Sequence, residues 1–139
     1  MKISKKAEYA IRAVITIAHH KKQKPLQVNE ISKKNSIPLK FLEQILLNLK
    51  NNGILSSKRG INGGYLLAKS VNDISIGMIL ESIDGRFDPF GLNNNYDLGL
   101  GLNKCFVEMT EMINQHLNKY TIQEILRIEE ARDSIAFEI

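Results

Sequence analysis

From Ser4 to His20 the apolar residues recur at helical spacing: Ala7, Ala10, Ile11, Val14, Ile17 and Ala18 fall on one stripe. Ser4 is placed to cap this first helix, and Pro25 forbids its continuation. The run VNEISKKNS predicts a short second helix with Val28 and Ile31 facing inward. Asn35 is expected to take the left-handed conformation that turns the chain. IPLKFLEQILLNLKNNG predicts a third helix, with Pro38 in its first turn and Gly53 just past its end. Its buried stripe is Leu42, Ile45, Leu46 and Leu49; Lys40, Phe41, Glu43, Gln44 and Asn48 lie off it. Two helices joined by so few residues follow helix-turn-helix grammar.

The period then changes. ILSSKR and YLLA are strand-like runs flanking a Gly/Asn turn, which predicts a hairpin. A helix-turn-helix followed at once by a hairpin is a winged helix, with the wing loop at Arg59–Gly64. DISIGMILESIDG predicts a further helix with Ser75 as cap, Ile76, Ile79, Leu80 and Ile83 as its stripe, and Gly85 as its stop. Residues 86–103 show no period and are rich in Gly and Asn, the pattern of a mobile loop. From Lys104 a long helix carries Phe106, Met109, Ile113 and Leu117 at intervals of three and four. TIQEILRIEEARDSI predicts the last helix, opened by Thr121 and Glu124 as a capping-box pair. The expected fold is mainly α with a small β-hairpin: a winged helix-turn-helix domain over 1–85, a loop over 86–103, and two helices over 104–139.

Charge adds direction to this picture. Residues 1–69 hold 14 Lys and Arg against 3 Asp and Glu, a net of +11, while residues 70–139 carry a net of −7. The first half is built to meet a polyanion. The Gly-rich wing is not a nucleotide-binding loop, which needs a lysine and a hydroxyl residue after its last glycine and then a helix. Here Gly64 leads into Tyr65 and an apolar strand. No run is long enough to span a bilayer, and the basic N-terminus lacks the features of a signal peptide, so cytoplasmic residence is expected. A single cysteine, Cys105, rules out an intrachain disulfide. No nucleophile–base pair or cofactor fingerprint points to an enzyme.

The stretches MKISKKAEYAIRA, FLEQIL, SSKRGINGGYLLA and ISIGMILESIDG together resemble the Rrf-two family of bacterial winged-helix transcription regulators. The likeness is strong over the first 85 residues and weaker beyond, where TIQEIL carries it. It implies a homodimeric repressor or activator that binds a two-fold-symmetric operator in double-stranded DNA. The long helix near 104–118 would cross its twin, making Phe106, Met109, Ile113 and Leu117 dimerisation candidates.

The residue types suit that role. A recognition helix meets base edges with its N-terminal residues. Gln44 can pair with adenine, Glu43 can accept from a cytosine amino group, and Lys40 can reach guanine or phosphate. Phe41 is expected to pack rather than read. Arg59 at the wing tip can enter a narrow minor groove, and Gly60 lets the backbone approach closely. Lys2, Ser4, Lys5, Lys6, Lys33, Lys34 and Lys58 are phosphate-contact candidates.

The resemblance also raises a question of signal. Several relatives hold an iron–sulfur cluster on three cysteines in the loop before the long helix; here that loop has none, and the last of them would fall near Leu100. One thiolate does not make a cluster site, which takes about four protein ligands, and Tyr96, Asp97 or His116 make thin substitutes. No cofactor and no metal are expected: His19 and His20 are adjacent and project apart, and His116 has no spaced partner. Cys105 is expected to be buried at or near the dimer helix, with a redox switch as the alternative. The competing function is a regulatory interaction protein whose acidic C-terminal half docks a partner enzyme or adaptor; a protein partner or small-molecule effector could also act on the regulator.

Overall fold

A computed structural model describes residues 2–20, 24–94 and 97–138. Its elements run α1 (Lys5–His19), α2 (Val28–Asn35), α3 (Leu39–Asn51), β1 (Leu55–Lys58), β2 (Gly64–Leu67), α4 (Ile76–Asp84), α5 (Leu100–Lys119) and α6 (Ile122–Glu138). The mainly helical fold with one hairpin is the one expected, and each expected helix is present. Ser4 caps α1, its Oγ accepting from the Ala7 amide, and Ser75 caps α4 in the same way through Met78. β1 and β2 pair antiparallel, with Leu55 opposite Leu67 and Lys58 opposite Gly64. Leu26, between α1 and α2, adds an isolated bridge to Tyr65 and so ties the hairpin to the helical body.

The core lies where α1, α3 and α4 meet. Ala10, Ala13 and Val14 of α1, Leu42, Ile45, Leu46 and Leu49 of α3, and Ile79 of α4 are sealed from solvent, with Ile31, Ile54 and Ile74 around them. Small residues on α1 let α3 and α4 approach closely, so the aliphatic side chains of those helices fill the space. Among the described residues, every buried hydrophobic residue except Ile122 comes from residues 7–80.

Several local expectations shift. The left-handed residue after α2 is Ser36 (φ 53°, ψ 43°), not Asn35. Asn35 stays helical because its side-chain amide is spoken for: it donates to the Ile31 carbonyl at 3.0 Å and the Thr16 hydroxyl at 2.9 Å. Arg12 of α1 donates to the Asn35 carbonyl at 2.6 Å, so the turn of the helix-turn-helix is pinned to α1. Pro38 caps α3 rather than sitting inside its first turn. Thr121 caps α6 by accepting from the Glu124 amide, but Glu124 turns to Arg127 at 2.6 Å instead of closing a capping box.

α5 begins at Leu100, four residues before Lys104. Within the preceding loop, Asp88 accepts from the amides of Leu92 and Asn93, the Asn114 amide donates to the Phe87 carbonyl, Arg86 pairs with Glu111, and Phe90 stacks on Phe106 with centroids 4.5 Å apart. The end of α5 returns to the winged domain: the Ile76 amide donates to Tyr120, and the Ile122 amide to Ile74. Gly77 permits this closeness, since a Cβ there would overlap the Asn118 side chain.

Candidate nucleic-acid interface

The burial of α3 decides what it can present. With Leu42, Ile45, Leu46 and Leu49 inward, Lys40, Glu43 and Gln44 are exposed together over its first two turns. Leu47 continues that outward face with half its surface in solvent, an apolar member the sequence pattern did not single out. Phe41 is half-buried and packs edge-on against Tyr9 at 5.8 Å, as its expected packing role requires. Through that contact α1 sets the angle at which α3 is offered.

The wing stands beside this face. Tyr65 of β2 is partly buried, and its phenol is pushed above its ordinary value first by that burial and then by the nearby carboxylate of Glu43. α3 and the base of the wing are therefore electrostatic neighbours. Lys58, Arg59 and Gly60 are all exposed at the hairpin end. Gly60 has φ 108°, and a Cβ on Gly63 would overlap the Lys58 carbonyl oxygen, so this turn needs glycine at both positions. Gln27, which precedes α2, donates to the Ile61 carbonyl at 3.0 Å and braces the tip. Between the tip, Gln27 and Glu30 lies an open cavity of about 700 Å³ edged by His20 and the cations Lys24, Lys58 and Arg59.

The remaining basic candidates divide. Lys2, Lys5, Lys33 and Lys34 are exposed, while Lys6 is half-buried. Lys5 pairs with Glu8 at 3.2 Å and lies over the Tyr9 ring. Ser4 faces its own protein: its hydroxyl donates to Asp84 at 2.8 Å while accepting from Ala7. The wing residue that sequence reasoning passed over is Ile61, 92% exposed at the tip. An apolar side chain inside a Gly/Asn turn was the available signal.

In α5 no residue is fully buried. Phe106, Ile113 and Leu117 are half-buried on the side that holds Asn103, Thr110 and Asn114, whereas Met109 is exposed. The outward stripe is instead Leu102, Cys105, Met109, Met112 and His116, at steps of three and four. Cys105 is exposed in the single chain and lies on the outer side of α5, not against α4.

A family model described as an iron-dependent transcriptional regulator, Rrf2, matches residues 3–128. The chain belongs to the Rrf2 family. The transcriptional regulator IscR of Pectobacterium carotovorum subsp. carotovorum (strain PC1) is 31% identical over 138 residues, covering 96% of this chain and 84% of that protein. Among solved structures, CymR (YrzC), the global cysteine regulator of B. subtilis, superposes with a TM-score of 0.79 at 25% identity over 90% of this chain and 95% of that one. IscR of T. potens gives 0.79 at 25% identity over 95% and 90%. Family and relatives are DNA-binding transcription regulators, not enzymes.

The residues of this Rrf2 member do not fit an iron–sulfur cluster. Its one thiol sits at the second turn of α5, and among the described residues no group of three or more His, Cys, Asp or Glu could hold a metal ion. Leu100, where a cluster cysteine was anticipated, starts α5 with its side chain in solvent. Asp97 accepts from the Gly99 amide, His116 meets the Tyr120 ring, and Tyr96 lies outside the described residues. Among the described residues no helix is long and apolar enough to cross a membrane.

Proposed function

We propose that this protein is a homodimeric, sequence-specific transcription regulator that works without an iron–sulfur cluster. The observation that carries this is that the basic half exposes two features together, the Lys40–Glu43–Gln44 face of α3 and the Arg59 tip of a hairpin whose Tyr65 lies near Glu43. α3 enters a major groove, where Gln44 and Glu43 read base edges and Lys40 reaches guanine or phosphate. Arg59 enters the flanking minor groove, where a narrow groove concentrates negative potential. Lys2, Lys5, Lys33, Lys34 and Lys58 hold the backbone and set register rather than sequence.

Two copies join through α5. A helix with no buried residue and an apolar stripe at heptad-like spacing gains its stability by packing on another helix. A second copy supplies that partner, and its two-fold symmetry matches a two-fold-symmetric operator.

Selection of genomic fragments by the purified full chain, prepared without oxygen and washed at moderate salt, tests the reading. It predicts a symmetric site with half-sites about one helical turn apart. Random fragments that wash off with salt would reduce the protein to a non-specific polycation. The same preparation is expected to be colourless and free of stoichiometric iron and sulfide. A brown protein with both would overturn the cluster-free assignment.

A further inference from the structure

Ile61 is the most exposed large hydrophobic side chain among the described residues, at 92%. It occupies the second position of a four-residue turn closed by the Gly63 amide donating to the Gly60 carbonyl at 2.9 Å. Turn corners of this kind favour Pro, Asp, Asn, Ser or Gly; a β-branched apolar residue adds nothing to the turn and leaves its whole side chain in water. A residue placed against both local preference and solvent preference is where function is expected to show.

Its placement is also fixed. The Ile61 carbonyl takes the Gln27 amide at 3.0 Å, so the backbone is braced against the start of α2 while the side chain points away from the body. Beside it stand Arg59, two residues before, and Lys58 beyond that, with Lys24 across the cavity beneath the tip, so three cations outweigh the one carboxylate of that lining, Glu30. The tip is therefore an apolar point inside a positive frame. A DNA minor groove has the complementary form, with anionic phosphates along its rims, C–H surfaces of deoxyribose as its walls, and a floor that carries no protruding group at A·T pairs.

The geometry points to Ile61 as a second specificity element of the wing: it presses into the minor groove beside Arg59 and excludes G·C pairs, whose guanine 2-amino group projects from the groove floor. Arg59 reads potential; Ile61 reads the space. This rests on the DNA-binding reading above, and the test separates the two.

The operator recovered by selection is prepared with A·T, inosine·cytosine or guanine·cytosine at the pairs facing the wing. Inosine·cytosine keeps the minor-groove face of A·T but changes the major groove. The full-length protein is expected to bind the first two alike and the third about tenfold more weakly. Ile61→Ser is expected to lose about tenfold on the A·T operator and to shrink the G·C penalty to about threefold or less, with Ile61→Leu restoring both. Because Ile61 makes no core contact, Ile61→Ser should melt like the parent protein. Parent-like affinity and discrimination in Ile61→Ser overturn the inference while leaving DNA binding intact. An equal penalty for inosine·cytosine and guanine·cytosine also overturns it, since the reading would then come from the major groove. If Ile61→Ser spares DNA binding but loses a co-purifying protein, the tip is a protein contact and the inference falls. Failure to recover any specific site removes the underlying reading, and the inference with it.

Discussion

α3 and α5 are both amphipathic helices, and they meet opposite ends. The apolar stripe of α3 is wholly sealed inside its own chain, and what it offers outward is mostly polar. α5 seals nothing completely, and what it offers outward includes an apolar stripe through Leu102, Met109 and Met112. The exposed side names the partner in each case: hydrogen-bonding and charged groups suit base edges, whereas methionine and leucine suit another apolar helix. The charge split runs the same way, with +11 over residues 1–69 and −7 over residues 70–139. One half completes its core alone and meets a polyanion. In the proposed regulator the other is completed by a second copy, and its acidity would keep it off the DNA.

The sharpest way to break this comparison is to charge the outward stripe. Met109→Lys with Met112→Lys puts four cations into a two-fold seam, because each substitution occurs in both copies. Desolvating them costs enough to abolish association, an effect expected to exceed a hundredfold in dimer dissociation. Sedimentation should give the single-chain mass of 15.8 kDa with helical content largely kept. A dimer that persists would move the interface off this face. The next largest effect belongs to the other helix. Leu46→Ala, wholly buried in α3, should cost about 2–5 kcal/mol of stability in urea unfolding. A loss under about 1 kcal/mol would mean that the winged domain is not the self-sufficient half.

Smaller effects sharpen the polar side. Arg59→Ala and Gln44→Ala should each weaken binding to the true site by about 1–3 kcal/mol, with stability unchanged because both side chains are exposed. Their signatures differ. Gln44→Ala should relax preference at one base pair, and Arg59→Ala should also flatten the salt dependence by removing a cation near phosphates. Unchanged affinity in both variants would take the recognition helix and wing off the DNA.

How far these features could be read from sequence follows from where the decisive forces lie. The stripe of α3 was legible because burial repeats with the helical period, and the hairpin because Gly63 and Gly64 sit where backbone closeness demands them and Gly60 where φ is positive. Ser4 and Ser75 were legible because capping is local. Asn35 misled because its side chain reaches Thr16, nineteen residues away, and no local rule sees that bond. The facing of α5 was hidden for a related reason. Two overlapping apolar stripes run along it, and only the tertiary contacts of Phe106 with Phe90 and of Asn114 with Phe87 show which one turns inward. Ile61 was passed over because turns are read for their glycines, not for the residue that breaks the rule.

The smallest predicted effect concerns the joint between the two halves. Asp88 accepts from the Leu92 amide at 2.9 Å and the Asn93 amide at 3.0 Å. These backbone donors, Asn93 first, hold its carboxyl below the ordinary value of 3.8. Because the folded value is the lower one, the stabilisation is fully present above the ordinary value and is lost as pH falls through the folded one. Neutral and mildly acidic solutions should leave the loop intact. Below that ordinary value the Leu92 and Asn93 amide resonances should shift together, ahead of any change in the core residues of α1 and α3. Asp88→Asn should show the low-pH positions of those two amides already at pH 7. If they instead move only when the whole protein unfolds, the carboxylate is not what fastens the loop ahead of α5, and the Arg86–Glu111 pair and the Phe90–Phe106 stack carry that role.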